Sequence, residues 1–153
     1  MRFTREELRA EVIAAFPPKP YFGSVMSCTC DECAGIKKHV AGKAWDELTV
    51  EFLDDTRGPA LMNAPACVAF LPAYLIRALD VTGKDNIGLE LTAYTLCPST
   101  DWLEKAELLN ERNALLTEVQ RLTVRRFLEF ARQQKEGTFF KELVDQALES
   151  HWK

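Results

Sequence analysis

The densest chemistry in this chain lies in one short run, Cys28-Thr-Cys30-Asp-Glu-Cys33. Thiolates bind soft metal ions. A Cys-x-x-Cys pair at a helix start lets two of them share one ion while the helix N-terminus favours their negative charge. Cys28 adds a third sulfur. Zinc takes four ligands, with sulfur at about 2.3 Å, and His39, Cys67 and Cys97 are the candidates for the fourth place. The candidate metal ligands are therefore Cys28, Cys30, Cys33 and His39, which would hold a structural zinc. Two other readings stand beside it. The thiols can be unliganded, with Cys33 a small buried hydrophobe and Asp31 and Glu32 ordinary first-turn acids. Alternatively, Cys30 and Cys33 can carry redox chemistry or a disulfide, although such a pair normally sits on a βαβ scaffold. No second Cys-x-x-Cys or His pair exists in the chain. That places unliganded thiols first, zinc second and redox chemistry third.

Little else in the chain suggests a reaction. His39 and His151 are the only histidines, too few for most multi-histidine sites. There is no H-E-x-x-H, no Walker loop and no G-x-G-x-x-G. Gly42-Lys43 and Gly83-Lys84 lack the upstream glycine and read as turns. A Ser-His-Asp triad assembles in space rather than in sequence, and nothing here favours one. Arg121, Arg125, Arg126 and Arg132 could grip a phosphate or an acidic partner. The glutamates among them point instead to a solvated, ion-paired helix face.

The elements that must position the cysteines are helices. The longest apolar run is Ala60 to Leu79. Asn63 can cap a helix there, with Pro65 in the first turn, where a missing N–H costs nothing. Pro72 disfavours a helical Leu71, so the central helix is expected to kink at Pro72 or to divide in two. Phe70, Tyr74 and Leu75 should face the core, with Leu71 and Ala78 at its margins. The interrupting prolines, Arg77 and the acidic flank at Asp80 make this a buried soluble element rather than a membrane span.

Upstream, Thr4 and Glu7 form a capping box, and Leu8, Val12, Ile13 and Phe16 give residues 5–16 a helical period. Pro17, Pro18 and Pro20 end that helix. The next is expected from about Asp31 to Val40, broken at Gly42, and another carries Trp45, Leu48, Phe52 and Leu53. Residues 81–98 read as a loop and a short helix. A helix starts near Ser99–Asp101, and the longest follows at 112–134, with Leu115, Val119, Leu122, Leu116, Phe127 and Phe130 on its apolar face. Glu118 can pair with Arg121, and Glu129 with Arg125 and Arg132. A last helix at 138–151 buries Phe140, Leu143, Val144 and Leu148. Trp45, Trp102 and Trp152 belong to the core or its margin; an exposed Trp152 would instead offer a contact to a partner. The fold class expected is all-α, one domain over residues 1–153, a bundle of six or seven helices.

The 153 residues suit a single domain that needs no disulfide staples. A net charge of −4 argues against non-specific nucleic-acid binding. Charges occupy the N-terminal stretch where a signal peptide needs its apolar region, and an odd number of cysteines, five, is not a secreted disulfide framework. A cytoplasmic location follows as the expectation, with no membrane and no nucleic acid as partner.

Several short motifs add a resemblance. The chain has an N-terminal helix ending in Ala15-Phe16 and prolines, then Cys30-Asp-Glu-Cys33, Gly42-Lys-Ala-Trp45 and Phe70-Leu-Pro-Ala-Tyr-Leu75. It continues with Gln120-x-x-x-Val124-x-x-Phe127-Leu128 and Trp152. In these it resembles a family of small, uncharacterised bacterial cytosolic proteins marked by CxEC, GKxW and FLPAYL motifs. The resemblance implies a bacterial source and no particular activity. The function expected from the residues themselves is a small cytosolic module that binds another protein without catalysing a reaction. The alternative is a metal- or thiol-dependent enzyme using Cys28, Cys30 and Cys33.

Overall fold

Thr4 opens the first helix in the way its spacing from Glu7 requires. Its hydroxyl accepts the Glu7 N–H at 3.1 Å, and the Glu7 carboxylate accepts the Thr4 N–H at 2.9 Å. In the computed structural model, which describes residues 3–55, 58–81, 87–97, 103–134 and 138–153, this helix is α1, Arg5–Ala15. Seven more α-helices follow among the described residues: α2 Asp31–Val40, α3 Val50–Asp55, α4 Ala64–Asp80, α5 Ile87–Thr95, α6 Leu103–Leu115, α7 Glu118–Gln134 and α8 Thr138–Ser150. Two 3-10 turns, Trp45–Glu47 and Gly58–Leu61, lie between them, and no strand occurs among the described residues. The all-α class holds, with more helices than the six or seven expected. The stretch read as a single long helix from 112 stops at Leu115 and restarts after Thr117.

Thr117 explains the division. Its hydroxyl accepts the Gln120 N–H at 3.1 Å, and the Gln120 side-chain oxygen accepts the Thr117 N–H at 3.0 Å. This is a second capping box, and it starts a helix rather than letting one pass. The apolar face assigned to the long helix is corrected with it. Leu116, Phe127 and Phe130 are buried, but Leu115, Val119 and Leu122 are 50%, 63% and 47% exposed. Val124, Leu128 and Ala131 take their place in the core. Ile13 of α1 is also exposed rather than inward-facing.

α4 is the hub, with α1, α3, α5 and α6 packed around it. The Asn63 side chain caps it by accepting the Ala66 N–H at 3.0 Å. One helix spans the whole stretch, and Pro72 lies inside it rather than opening a second. Leu71 and Ala78, expected at the margins, are as buried as Phe70, Tyr74 and Leu75. Twelve of its seventeen residues are buried, as a helix apolar on all sides must be. Its C-terminal carbonyls are held from α1: Arg5 donates to the Leu79 and Val81 carbonyls, and Arg9 pairs with Asp80 at 3.0 Å. No helix among the described residues is long and apolar enough to cross a membrane.

The basic face of α7 is an ion-paired surface. Arg125 meets Glu129 at 3.3 Å, as expected, and Arg126 reaches Glu11 of α1 at 2.7 Å. Arg132 pairs with Asp145 of α8 rather than with Glu129. The expected pair between Glu118 and Arg121 does not form. Trp152 is buried, and its indole N–H donates to the Leu96 carbonyl at 2.8 Å. It is a core anchor and not an exposed contact. In α8, Phe140 and Val144 are buried while Leu143 and Leu148 are half-buried at the core's edge. Trp102 and the helix start near Ser99–Asp101 lie outside the described residues.

Candidate metal centre

The cysteines arrive on a loop with little regular structure, so the first question is what holds that loop. After α1 the prolines carry the chain to Tyr21. There the backbone makes a two-way tie: Tyr21 N–H donates to the Lys43 carbonyl at 3.0 Å, and Gly42 N–H donates to the Tyr21 carbonyl at 3.1 Å. Gly42 has φ +68°, and a Cβ on it would lie 3.3 Å from the Phe22 ring. Glycine is therefore favoured at this turn for its backbone, which L side chains rarely adopt. Trp45, three residues on, donates its indole N–H to the Phe16 carbonyl at the end of α1 at 2.8 Å. The Gly-Lys-Ala-Trp run thus joins α1, the proline loop and the end of α2.

The α4 cap holds the next part of the loop. Asn63 donates from its side-chain amide to the Ser24 carbonyl and from its backbone N–H to the Val25 carbonyl, both at 2.8 Å. Val25 and Met26 bury their side chains in the core. The Tyr21 ring meets Phe70 edge-on, with centroids 5.6 Å apart. Two residues beyond Met26 the chain reaches Cys28, whose carbonyl accepts from the Lys37 ammonium at 2.8 Å. The loop is fixed at Tyr21, Ser24, Val25 and Cys28 before the thiols begin.

Cys30 is the residue at which α2 starts, and Cys33 lies in the helix's first turn. The sulfurs of Cys28, Cys30 and Cys33 all fall within 4.8 Å of one another. Those of Cys28 and Cys30 are 3.2 Å apart, with a thiol hydrogen bond between them and no disulfide. Three sulfurs on a tetrahedral zinc at about 2.3 Å would stand roughly 3.8 Å from each other, so small side-chain shifts bring this trio to that spacing. Cys28 and Cys30 are exposed and Cys33 is buried.

Charge is distributed unevenly over the trio. The Cys30 thiol is held below its ordinary value, first by the Cys33 backbone N–H and then by hydrogen bonds from the Cys28 and Cys33 side chains. Cys33 is pushed up to about 12, chiefly because its S–H serves Cys30 and Cys28, and further by burial. A divalent cation would reverse that ordering, since a coordinating thiol is deprotonated by the ion itself.

His39, expected as the fourth ligand, is not part of this group. Its ring stacks flat on Phe52 of α3, with centroids 4.1 Å apart and planes 4° from parallel. Its Nε2 is buried without a hydrogen-bond partner, and burial, then the Lys43 charge, holds the imidazole below its ordinary pKa. Nothing in the sequence pairs residue 39 with residue 52; their contact exists only because α2 and α3 pack together. Cys67 and Cys97 are each 2% exposed in the core, and burial pushes the Cys67 thiol up to about 11. His151 follows α8, where its backbone carbonyl accepts from Asn113 at 3.3 Å. None of the other cysteines or histidines joins the trio.

Fold and site together define a small all-α protein with a three-thiol cluster at a helix start. Residues 21–153 match the family of unknown function DUF6714, and the chain belongs to that family. The match takes in the cluster, the Gly42–Trp45 turn and all of α4, and leaves α1 outside. No curated protein and no solved structure matches the chain.

Proposed function

We propose that this protein binds a soft divalent metal ion, zinc in the ordinary case, through Cys28, Cys30 and Cys33. The ion ties the proline-rich loop to the start of α2. The observation that carries this reading is the convergence of three sulfurs within 4.8 Å on a loop whose backbone is already fixed on both sides. A site prepared in this way loses little conformational freedom when the ion enters.

Elemental analysis of the full chain purified without added metal, together with thiol titration in the native state, tests the proposal. The expected result is about one zinc per chain with three protected thiols released by a chelator. Hydrogen exchange after chelation should then speed up over residues 17–40 and leave α7 and α8 unchanged. Binding requires thiolates, so protons compete with the metal and affinity falls as the pH is lowered. A chain without metal that also takes up none on addition, with Cys28 and Cys30 reacting freely, would discard the proposal. Cys67 and Cys97 should stay unreactive in either case, because both are buried.

A second reading, recognition of another protein, draws on Leu115, Val119 and Leu122. These three apolar side chains are exposed around the α6–α7 junction, beside Arg121, which forms no ion pair among the described residues. The double substitution Val119→Asp, Leu122→Asp should shift stability by no more than about 0.5 kcal/mol, since both side chains are on the surface. It should also strip a protein that co-purifies with the parent. Retention of that protein by the variant counts against this reading.

A further inference from the structure

Structural zinc sites are closed by four protein ligands, whereas sites that work on something else keep one position for an outside group. This chain has five cysteines and two histidines, and all seven lie among the described residues. Three cysteines form the cluster. Cys67 and Cys97 are in the core, His39 lies under Phe52, and His151 follows α8. The carboxylates of Asp31 and Glu32, although adjacent in sequence, are not among the ligand atoms that converge there. Cys28 and Cys30 are exposed residues, which leaves the cluster open toward solvent.

We infer that the metal held by Cys28, Cys30 and Cys33 takes its fourth ligand from outside the chain, and that this ligand is a neutral imidazole, the side chain of a histidine on another molecule. The inference rests on the metal reading above. Its second half comes from charge. A divalent ion with three thiolates carries a net −1. A fourth thiolate would raise this to −2 beside Asp31 and Glu32, which lie between two of the ligands, on a chain already at −4. One cation at the loop, the Lys37 ammonium, is bonded to the Cys28 carbonyl. An imidazole nitrogen adds a strong donor without adding charge. The exchange is a simple substitution: a metal-bound water leaves, and the imidazole lone pair takes its place.

Cobalt(II), a spectroscopic substitute for zinc, tests both layers on the full chain. Binding by three thiolates gives sulfur-to-metal charge-transfer absorption in the near ultraviolet and tetrahedral bands in the visible. Imidazole, added afterwards, should move the visible bands to a saturating limit while the charge-transfer absorption persists. β-Mercaptoethanol should need a concentration higher by about tenfold or more, corresponding to about 1.4 kcal/mol, for the same half-shift. The variant Asp31→Asn, Glu32→Gln should narrow that preference, because it removes the like charges and leaves the ligands in place. Absence of the charge-transfer absorption would overturn the metal reading and this inference together. Its presence with visible bands that imidazole does not move would leave the metal reading standing and overturn the inference. A thiol that binds as readily as imidazole would overturn the choice of ligand.

Discussion

Replacing Phe70 or Phe127 by alanine should each cost about 3–5 kcal/mol of stability. Both side chains are fully buried, and the total stability of a domain is roughly 5–15 kcal/mol. Each variant should therefore melt roughly 6–20 °C below the parent. The two losses should differ in where they act. Phe70 lies on α4 and holds the Tyr21 ring edge-on, a contact worth about 0.5–1.5 kcal/mol beyond its area. Its removal should loosen the loop that carries Cys28 and Cys30, and the Phe70→Ala variant should react faster with a thiol reagent at those positions. Phe127 lies on α7, which packs on α1, α5 and α8, so Phe127→Ala should leave the thiols as they are. Thermal denaturation and thiol kinetics, measured on both variants, check this. Two variants melting within a degree or two of the parent would mean that the core is not built around these rings.

The second large effect is expected at Arg112, which is 5% exposed on α6. Its guanidinium has no acidic partner among the described residues. It donates instead to backbone carbonyls: Ala60 at 3.2 Å, and Met62 and Thr95 at 3.5 Å. Ala60 belongs to the 3-10 turn before α4, Met62 follows that turn, and Thr95 ends α5. Helix-end carbonyls lack intrahelical donors and carry partial negative charge. One cation thus serves acceptors from two element ends that would otherwise be buried unpaired. Its Nε has no partner, which marks the cost of the arrangement. Two effects compete here: desolvation of the charge, and the loss of donors to three buried carbonyls. The second should dominate, because a buried acceptor left unpaired costs about 1–3 kcal/mol. Arg112→Met, which keeps most of the stem's volume, should destabilise by about 1–3 kcal/mol. Arg112→Ala should lose more, since it also leaves a cavity. Denaturant unfolding of both variants tests the order. A methionine variant as stable as the parent would show that burying the guanidinium costs more than its hydrogen bonds return.

Local rules made parts of this structure legible. Thr4 with Glu7, and Asn63 before Ala64-Pro65, announce helix starts through groups three residues apart, and the backbone geometry of a helix start brings those groups together in any fold. The spacing of Cys28, Cys30 and Cys33 worked in the same way. A turn followed by a helix start places such residues side by side with no help from distant segments. Thr117 and Gln120 carry the same signature and could have been read. The apolar period of Leu115, Val119 and Leu122 crossed the boundary and suggested one continuous helix where the chain has two.

Long-range contacts decided the rest. Leu71 and Ala78 are buried because α1, α3, α5 and α6 enclose α4 on several sides, whereas periodicity alone indicates one inward face. Arg112 gave no sign of burial, because its acceptors lie 17 to 52 residues away in sequence. The expectation for His39 failed for a related reason. The imidazole lies nine residues from Cys30 on the same short helix, but α3 presents Phe52 to it, and the ring stacks there instead of turning to the thiols. The amino-acid sequence by itself determined the helical class, the caps and the convergence of three thiols, because each depends on atoms within a few residues of one another. Only the tertiary structure decided that no fourth cysteine or histidine reaches them, because that depends on which helix packs over which, and the packing is settled by the burial of α4 as a whole.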